Sequence, residues 1–186
     1  MKRILLGLLA AIVLFLGYAA TRPDTFHVER SASIAAPPAA VWPHLVDFHR
    51  GQAWSPWETL DPAMKRELGG PEGAVGATYA WEGNSDVGTG KMTLTDAEPH
   101  SKVAIRLEFL EPMASTSVAT FRLAPEGAGT RVTWSMDGDQ NFLAKVMCIF
   151  MDMDKMVGGD FEKGLASLKQ VSEAAAPEPP ATEGAR

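Results

Sequence analysis

The sequence predicts an α+β domain in which an antiparallel meander of short strands packs against one long C-terminal helix. Three observations lead there. Across residues 141–171, Phe142, Val146, Ile149, Met153, Val157, Phe161, Leu165, Leu168 and Val171 recur at steps of three and four, the stripe of an amphipathic helix. Residues 64–137 alternate short apolar runs with clusters of Gly, Pro and Asn, the rhythm of antiparallel strands and tight turns. Upstream, Phe26, Val28, Ala32 and Ile34 alternate with His27, Glu29, Ser31 and Ser33, a period of two that reads as a first strand with one face inward.

Length and composition bound the rest. The chain has 186 residues, 46% hydrophobic and 22% charged, enough for one globular domain with its own core. Its net charge of -6 becomes more negative once Lys2 and Arg3 are set aside, and no run of Lys or Arg occurs, which argues against a nucleic-acid partner. A lone cysteine, Cys148, has no intrachain partner and is expected as a buried thiol.

Taken in order, the chain begins with Lys2-Arg3 and an uninterrupted apolar run over residues 4–20, an export signal. Residues 1–23 are read as either a retained single-pass anchor or a cleaved signal peptide. Both put the following domain outside the cytoplasmic membrane, with the basic residues inside. Residues 24–173 form the domain, and the Ala-, Pro- and Glu-rich residues 174–186 read as a disordered tail. After the first strand, Pro37-Pro38 introduces a short helix to Phe48, burying Val41, Trp42, Leu45 and Phe48, with Pro43 as a kink. The turn-rich Trp54-Ser55-Pro56-Trp57 follows, its two indoles either plugging the core or lining the mouth of a cavity. Six strands come next, at 64–68, 77–82, 91–97, 102–108, 117–123 and 130–136.

The final helix carries Lys145, Asp152, Lys155, Glu162, Lys163 and Lys169 on its polar face. Its first half is rich in Met (Met147, Met151, Met153, Met156), a side chain that adapts to irregular surfaces, including loosely shaped ligands. Gly158-Gly159 predicts a bend or a close approach in its middle.

The residues 26–30 (FHVER), the Ala36-Pro37-Pro38-Ala39-Ala40-Val41-Trp42 entry to the first helix, Asp47-Phe48 before Trp54-Ser55-Pro56-Trp57, residues 129–134 (GTRVTW) and residues 160–165 (DFEKGL) together resemble the START-like, or SRPBCC, superfamily, in its polyketide-cyclase-like branch. The resemblance spans roughly residues 26–171. It implies a helix-grip fold: a seven-stranded antiparallel sheet wrapped round the C-terminal helix, two short helices after the first strand, and an elongated apolar cavity between sheet and helix. It also implies ligands of lipid, sterol or polyketide type, without fixing one chemistry.

Motifs for chemistry are sparse. His27, His44, His49 and His100 show no metal-ligand spacing, and no metal or other cofactor is expected. There is no Gly-x-Ser-x-Gly elbow, and Gly88-Thr89-Gly90-Lys91 reads as a hairpin turn, since a strand follows where a phosphate loop needs a helix. On a straight helix Asp160 falls on the inward arc beside Gly164, whose missing side chain leaves room for ligand, and a buried carboxylate there suits acid-base work. Tyr79, sharing a strand face with Trp81, is a second acid-base candidate. Arg30 and Arg106 each either pair with an interior acid or belong to a solvated sheet face.

The ligand-binding residues expected are Trp54, Trp57, Tyr79, Trp81, Phe109, Trp134, Met136, Phe150, Met153, Val157, Asp160 and Gly164. The leading expectation is binding or carriage of a small hydrophobic or amphipathic molecule without chemical change. The alternatives are a cyclase or hydrolase of polyketide-like substrates, and an envelope protein-interaction module whose interior is filled solid.

Overall fold

The computed structural model describes residues 2–175. A helix, α1 (Lys2–Ala20), precedes strand β1 (Thr25–Ile34) and two short helices, α2 (Pro38–Val46) and α3 (Phe48–Gly51). Then come β2 (Lys65–Gly69), β3 (Thr78–Glu82), β4 (Thr89–Glu98), β5 (Lys102–Glu111), β6 (Ser115–Glu126) and β7 (Gly129–Asp139). Two helices, α4 (Phe142–Cys148) and α5 (Met153–Ala175), close the chain. The strands form one antiparallel sheet in the order β1-β7-β6-β5-β4-β3-β2, and α5 lies across its concave face. This is the helix-grip arrangement.

Alternation sets the faces. In β1, Val28 and Ile34 are buried while His27, Glu29, Ser31 and Ser33 are exposed, and β7 buries Val132, Trp134 and Met136 toward the same side. On α5 the stripe Phe161, Leu165 and Leu168 is almost wholly buried, each side chain contributing about 1.5–3 kcal/mol. Lys169 Nζ donates to the Ser33 carbonyl at 3.2 Å, and the Ala35 N–H donates to Glu173 at 2.6 Å, so the far end of α5 is tied to the end of β1.

The C-terminal helix departs from the single rod expected over 141–171. It breaks at residues 149–152, where neither Gly nor Pro occurs. Asp152 supplies the reason: its carboxylate accepts from the Lys155 N–H at 3.1 Å and caps a new helix, as Asn141 caps α4 through Ala144 at 2.9 Å. Gly158 and Gly159 leave α5 continuous, and Gly158 serves instead as a close approach. The helix expected over 38–48 likewise divides, at Asp47, whose side chain accepts from the His49 N–H at 2.8 Å. Pro43 sits inside α2 without ending it. Lys145, expected in solvent, is buried and paired with Asp24, and Cys148 is only half-buried. The tail reading begins at Ala174, but Ala174 and Ala175 are helical; residues 176–186 lie outside the described residues.

Candidate functional site

Between the sheet and the first half of α5 lies a cavity of about 330 Å³. Its walls come from every layer. α2 and α3 contribute Leu45 and Phe48, the 52–64 segment contributes Trp54 and Trp57, the strands contribute Trp81, Phe109 and Met136, and α5 contributes Met156 and Val157. Its innermost wall is an aromatic cluster centred on Trp134. That ring stacks on Phe161 at 4.0 Å and 9°, lies 4.8 Å from Phe121, and receives Trp54 and Trp57 edge-on at 5.5 and 5.7 Å. Trp54 is fixed by its Nε1, which donates to the His44 carbonyl at 2.8 Å. The Trp-Ser-Pro-Trp segment thus both packs the core and lines the cavity.

Of the residues expected to bind ligand, Trp54, Trp57, Tyr79, Trp81, Phe109, Trp134, Met136, Val157 and Asp160 line this space. Three do not. The break before Asp152 turns Phe150 outward, where it is 76% exposed and packs on Phe15 of α1 at 5.7 Å. Met153 lines a separate polar cleft between α4 and the end of α1. Gly164 offers no room for ligand, because Trp134 fills the space: a methyl group there would lie 2.7 Å from the indole and 3.2 Å from Pro56.

The polar groups are few and specific. The Tyr79 hydroxyl donates to Glu58, and Arg66 Nε holds the other Glu58 oxygen at 2.7 Å while its Nη1 donates to the Met64 carbonyl at 2.7 Å. Burial, reinforced by the Glu58 hydrogen bond, pushes the Tyr79 hydroxyl well above its ordinary pKa, so it acts as a hydrogen-bond donor and not as a base. Glu58 and Arg66 were not anticipated, although Arg66 stands between Met64 and Leu68 on the inward positions of β2, a readable signal. His44 also lines the cavity, 9% exposed, with neither ring nitrogen hydrogen-bonded among the described residues; burial lowers its pKa and keeps it neutral. Trp134 Nε1 is likewise buried without a partner. Asp160 is held by Lys163 at 2.8 Å, one turn along α5, and its side chain is 31% exposed.

A second constellation sits at the seam of β1 and α5. Arg30, on the inward face, donates to Asp154 through Nη1 and Nη2 at 2.9 and 2.8 Å and to Glu162 through Nε at 2.9 Å. A side chain on Gly158 would collide with this guanidinium, so the glycine is where strand arginine and helix backbone meet. Arg106 is exposed on the outer face.

Residues 25–173 match the family described as polyketide cyclase / dehydrase and lipid transport. The chain belongs to this family. Its fold, a sheet gripping a C-terminal helix over a cavity, is that of the START-like superfamily. Among solved structures, protein CV1439 from Chromobacterium violaceum is similar at a TM-score of 0.58 and 15% identity, covering 84% of this chain and 100% of that one. An uncharacterised protein from Rhizobium leguminosarum gives 0.60 and 16%, covering 81% and 96%. The Aha1 dimer from Colwellia psychrerythraea gives 0.57 and 17%, covering 82% and 99%. At these identities the likeness is one of fold. Among curated proteins none matches the chain.

Proposed function

We propose that this member of the family binds and carries a small apolar or amphipathic molecule, of lipid or polyketide type, in the cavity between its sheet and α5. The observation that supports it is the cavity itself: about 330 Å³, walled by Trp, Phe, Met and Val, with a handful of polar groups. Ligand sites fall at roughly 300–1,000 Å³ with this kind of lining. A protein-interaction module needs no such hollow, and leaving one costs stability. His44 and Trp134 Nε1 shape the expected ligand. A ligand oxygen reaching either group satisfies a buried nitrogen that has no partner among the described residues, which favours an amphipathic molecule over a pure hydrocarbon.

The test is native mass spectrometry of the full chain, expecting one co-purified small molecule. No bound molecule, together with no uptake from a total lipid extract, would sink the reading. For location, α1 is long and apolar enough to cross a membrane, and Lys2-Arg3 at its start orients the domain outward. α1 stays attached as an anchor; a mature N-terminus near residue 20 in protein sequencing would make the domain exported and unanchored instead.

The Tyr79–Glu58–Arg66 group supports a second reading, acid-base chemistry on a carbonyl of a bound polyketide-like substrate, in which the Tyr79 hydroxyl turns its one proton from Glu58 to the substrate oxygen while Arg66 keeps the Glu58 carboxylate, with Asp160 as the other candidate group. Tyr79→Phe and Asp160→Asn separate the readings: turnover lost with binding kept favours an enzyme, while unchanged behaviour in both removes these residues from any chemistry.

A further inference from the structure

The antiparallel order places one end of every strand at the same end of the sheet. That end gathers the start of β1 at Thr25, the end of β7 at Asp139, the β5–β6 turn at 111–115 and the β3–β4 turn at 82–89. α1 enters the domain there, and α4 and the first turn of α5 lie there too. Apart from α1, Leu60 and Val75, every large apolar side chain left exposed among the described residues belongs to this end. Leu110, Met113, Leu143, Met147, Phe150 and Met156 are its most informative members.

The joint to α1 is short and stiff. Only four residues, 21–24, separate α1 from β1. Asp24 is held from both sides, its carbonyl accepting from the Gln140 N–H at 2.6 Å and its carboxylate bound by the buried Lys145. Ala19 is fully buried, and Phe15 meets Phe150 at 5.7 Å. A helix of 19 residues is about 28 Å long, and the hydrocarbon layer is about 30 Å thick. A spanning α1 therefore has no length to spare. Phe15 lies five residues below the end of α1, about 7 Å along the axis, so Phe150 at its level is inside the edge of the apolar layer.

The geometry points to this end of the domain, with α4, the 149–151 turn and the β5–β6 turn, as a bilayer-contact surface that seats the mouth of the cavity on the lipid. The inference rests on the retained-anchor reading of α1. The contact is apolar and not electrostatic: Asp152 and Asp154 at this end are paired with Lys155 and Arg30, and Asp86, Glu111 and Asp139, which have no salt bridge among the described residues, outweigh Arg22, so anionic lipid is not its partner, and a zwitterionic surface is. Met156 connects surface and site, since it is 47% exposed and also lines the cavity. Asp86 is the other exposed lining residue, on the β3–β4 turn at the same end. A ligand leaving the outer leaflet thus enters between these two residues without crossing water.

The test uses the full chain in phosphatidylcholine nanodiscs, with Cys148→Ser and single nitroxide labels at Leu9→Cys, Leu143→Cys, Phe150→Cys and Val75→Cys. Accessibility to oxygen against a water-soluble nickel complex reads depth. Labels at 143 and 150 are expected to favour oxygen at least fivefold over the label at 75, which sits on the β2–β3 loop at the opposite end. Labels at 143 and 150 as water-exposed as 75, with 9 inside the bilayer, would overturn the contact surface and leave the anchor standing; water exposure at 9 as well would overturn both. Dimerisation that buries 143 and 150 in detergent-free discs also refutes it. Independently, Phe150→Asp is expected to slow uptake of a fluorescent nitrobenzoxadiazole fatty acid from phosphatidylcholine vesicles at least tenfold, with uptake from detergent micelles unchanged. Equal slowing from both sources, or none, counts against the mouth placement.

Discussion

The two ends of the grip are built from different side chains. At the end away from α1, Ile34, Val41, Val103, Val132, Leu165 and Leu168 are almost fully buried and belong to one continuous hydrophobic core. Toward α1, Trp81 and Phe109 of the sheet and Met156 and Val157 of α5 line the cavity with Trp57. Branched aliphatic side chains with few rotamers pack solid, while large aromatic and flexible thioether side chains wall a space they do not fill. One helix thus carries both surfaces, the solid core in its second half and the cavity wall in its first.

The largest separation of the two halves comes from truncating the solid one. Leu168→Ala should lose about 2–5 kcal/mol in denaturant unfolding, with ligand bound per folded molecule unchanged. Filling the hollow half should do the reverse. Val157→Trp is expected to weaken ligand binding at least tenfold in titration while unfolding free energy moves by less than about 1–3 kcal/mol, the usual range for added core volume.

Between the halves stand the buried polar groups. Tyr79→Phe removes one hydrogen bond to Glu58 and should cost about 0.5–1.5 kcal/mol, with Arg66 still holding the carboxylate. His44→Leu should instead raise stability by about 1 kcal/mol, since it removes buried nitrogens that have no partner among the described residues, while weakening an oxygen-bearing ligand. The pH profile checks the same residue. A histidine with a lowered folded pKa leaves the protein at full stability above the unfolded value near 6.5, and that stability declines as pH falls from there toward the folded pKa. His44→Leu should flatten the wild-type decline in thermal midpoint below about pH 6.5.

The smallest effect belongs to the seam. Hydrogen bonds from Arg30 hold the Asp154 carboxyl below its ordinary pKa, so their stabilisation is complete above about pH 4 and declines as pH falls through the lower folded value. Arg30→Met should lower the thermal midpoint slightly at pH 7, and the two midpoints should converge in strong acid. Constant separation at every pH would assign the difference to packing against Gly158.

Both periodicities were legible without coordinates. Alternation placed all seven strands to within a few residues at each end, and the three-four spacing of Phe161, Leu165 and Leu168 marked the helix face that is buried. The lining aromatics Trp81, Phe109 and Trp134 followed from the same alternation. What failed was phase. A straight helix through 141–171 put Phe150 and Met153 in the cavity, whereas an Asp152 cap restarts the helix and sends them elsewhere. The cap was readable as an Asp three residues before Lys155, but cap and interior positions are told apart only by where the chain turns.

By itself, then, the sequence determined the seven strands and the buried faces of strand and helix, because burial at periods of 2 and 3.6 is a local property of the chain, while the helix-grip arrangement came from its resemblance to the START-like superfamily. Tertiary structure alone decided which inward space is filled. Gly164 reads as an opening in sequence, yet Trp134 from β7 occupies it. Lys145 reads as a surface charge, yet Asp24, 121 residues away, holds it in a buried position, and Arg30, open in sequence between an interior partner and a solvated face, pairs with Asp154, 124 residues away. Such choices depend on contacts between distant segments, and no local pattern records them.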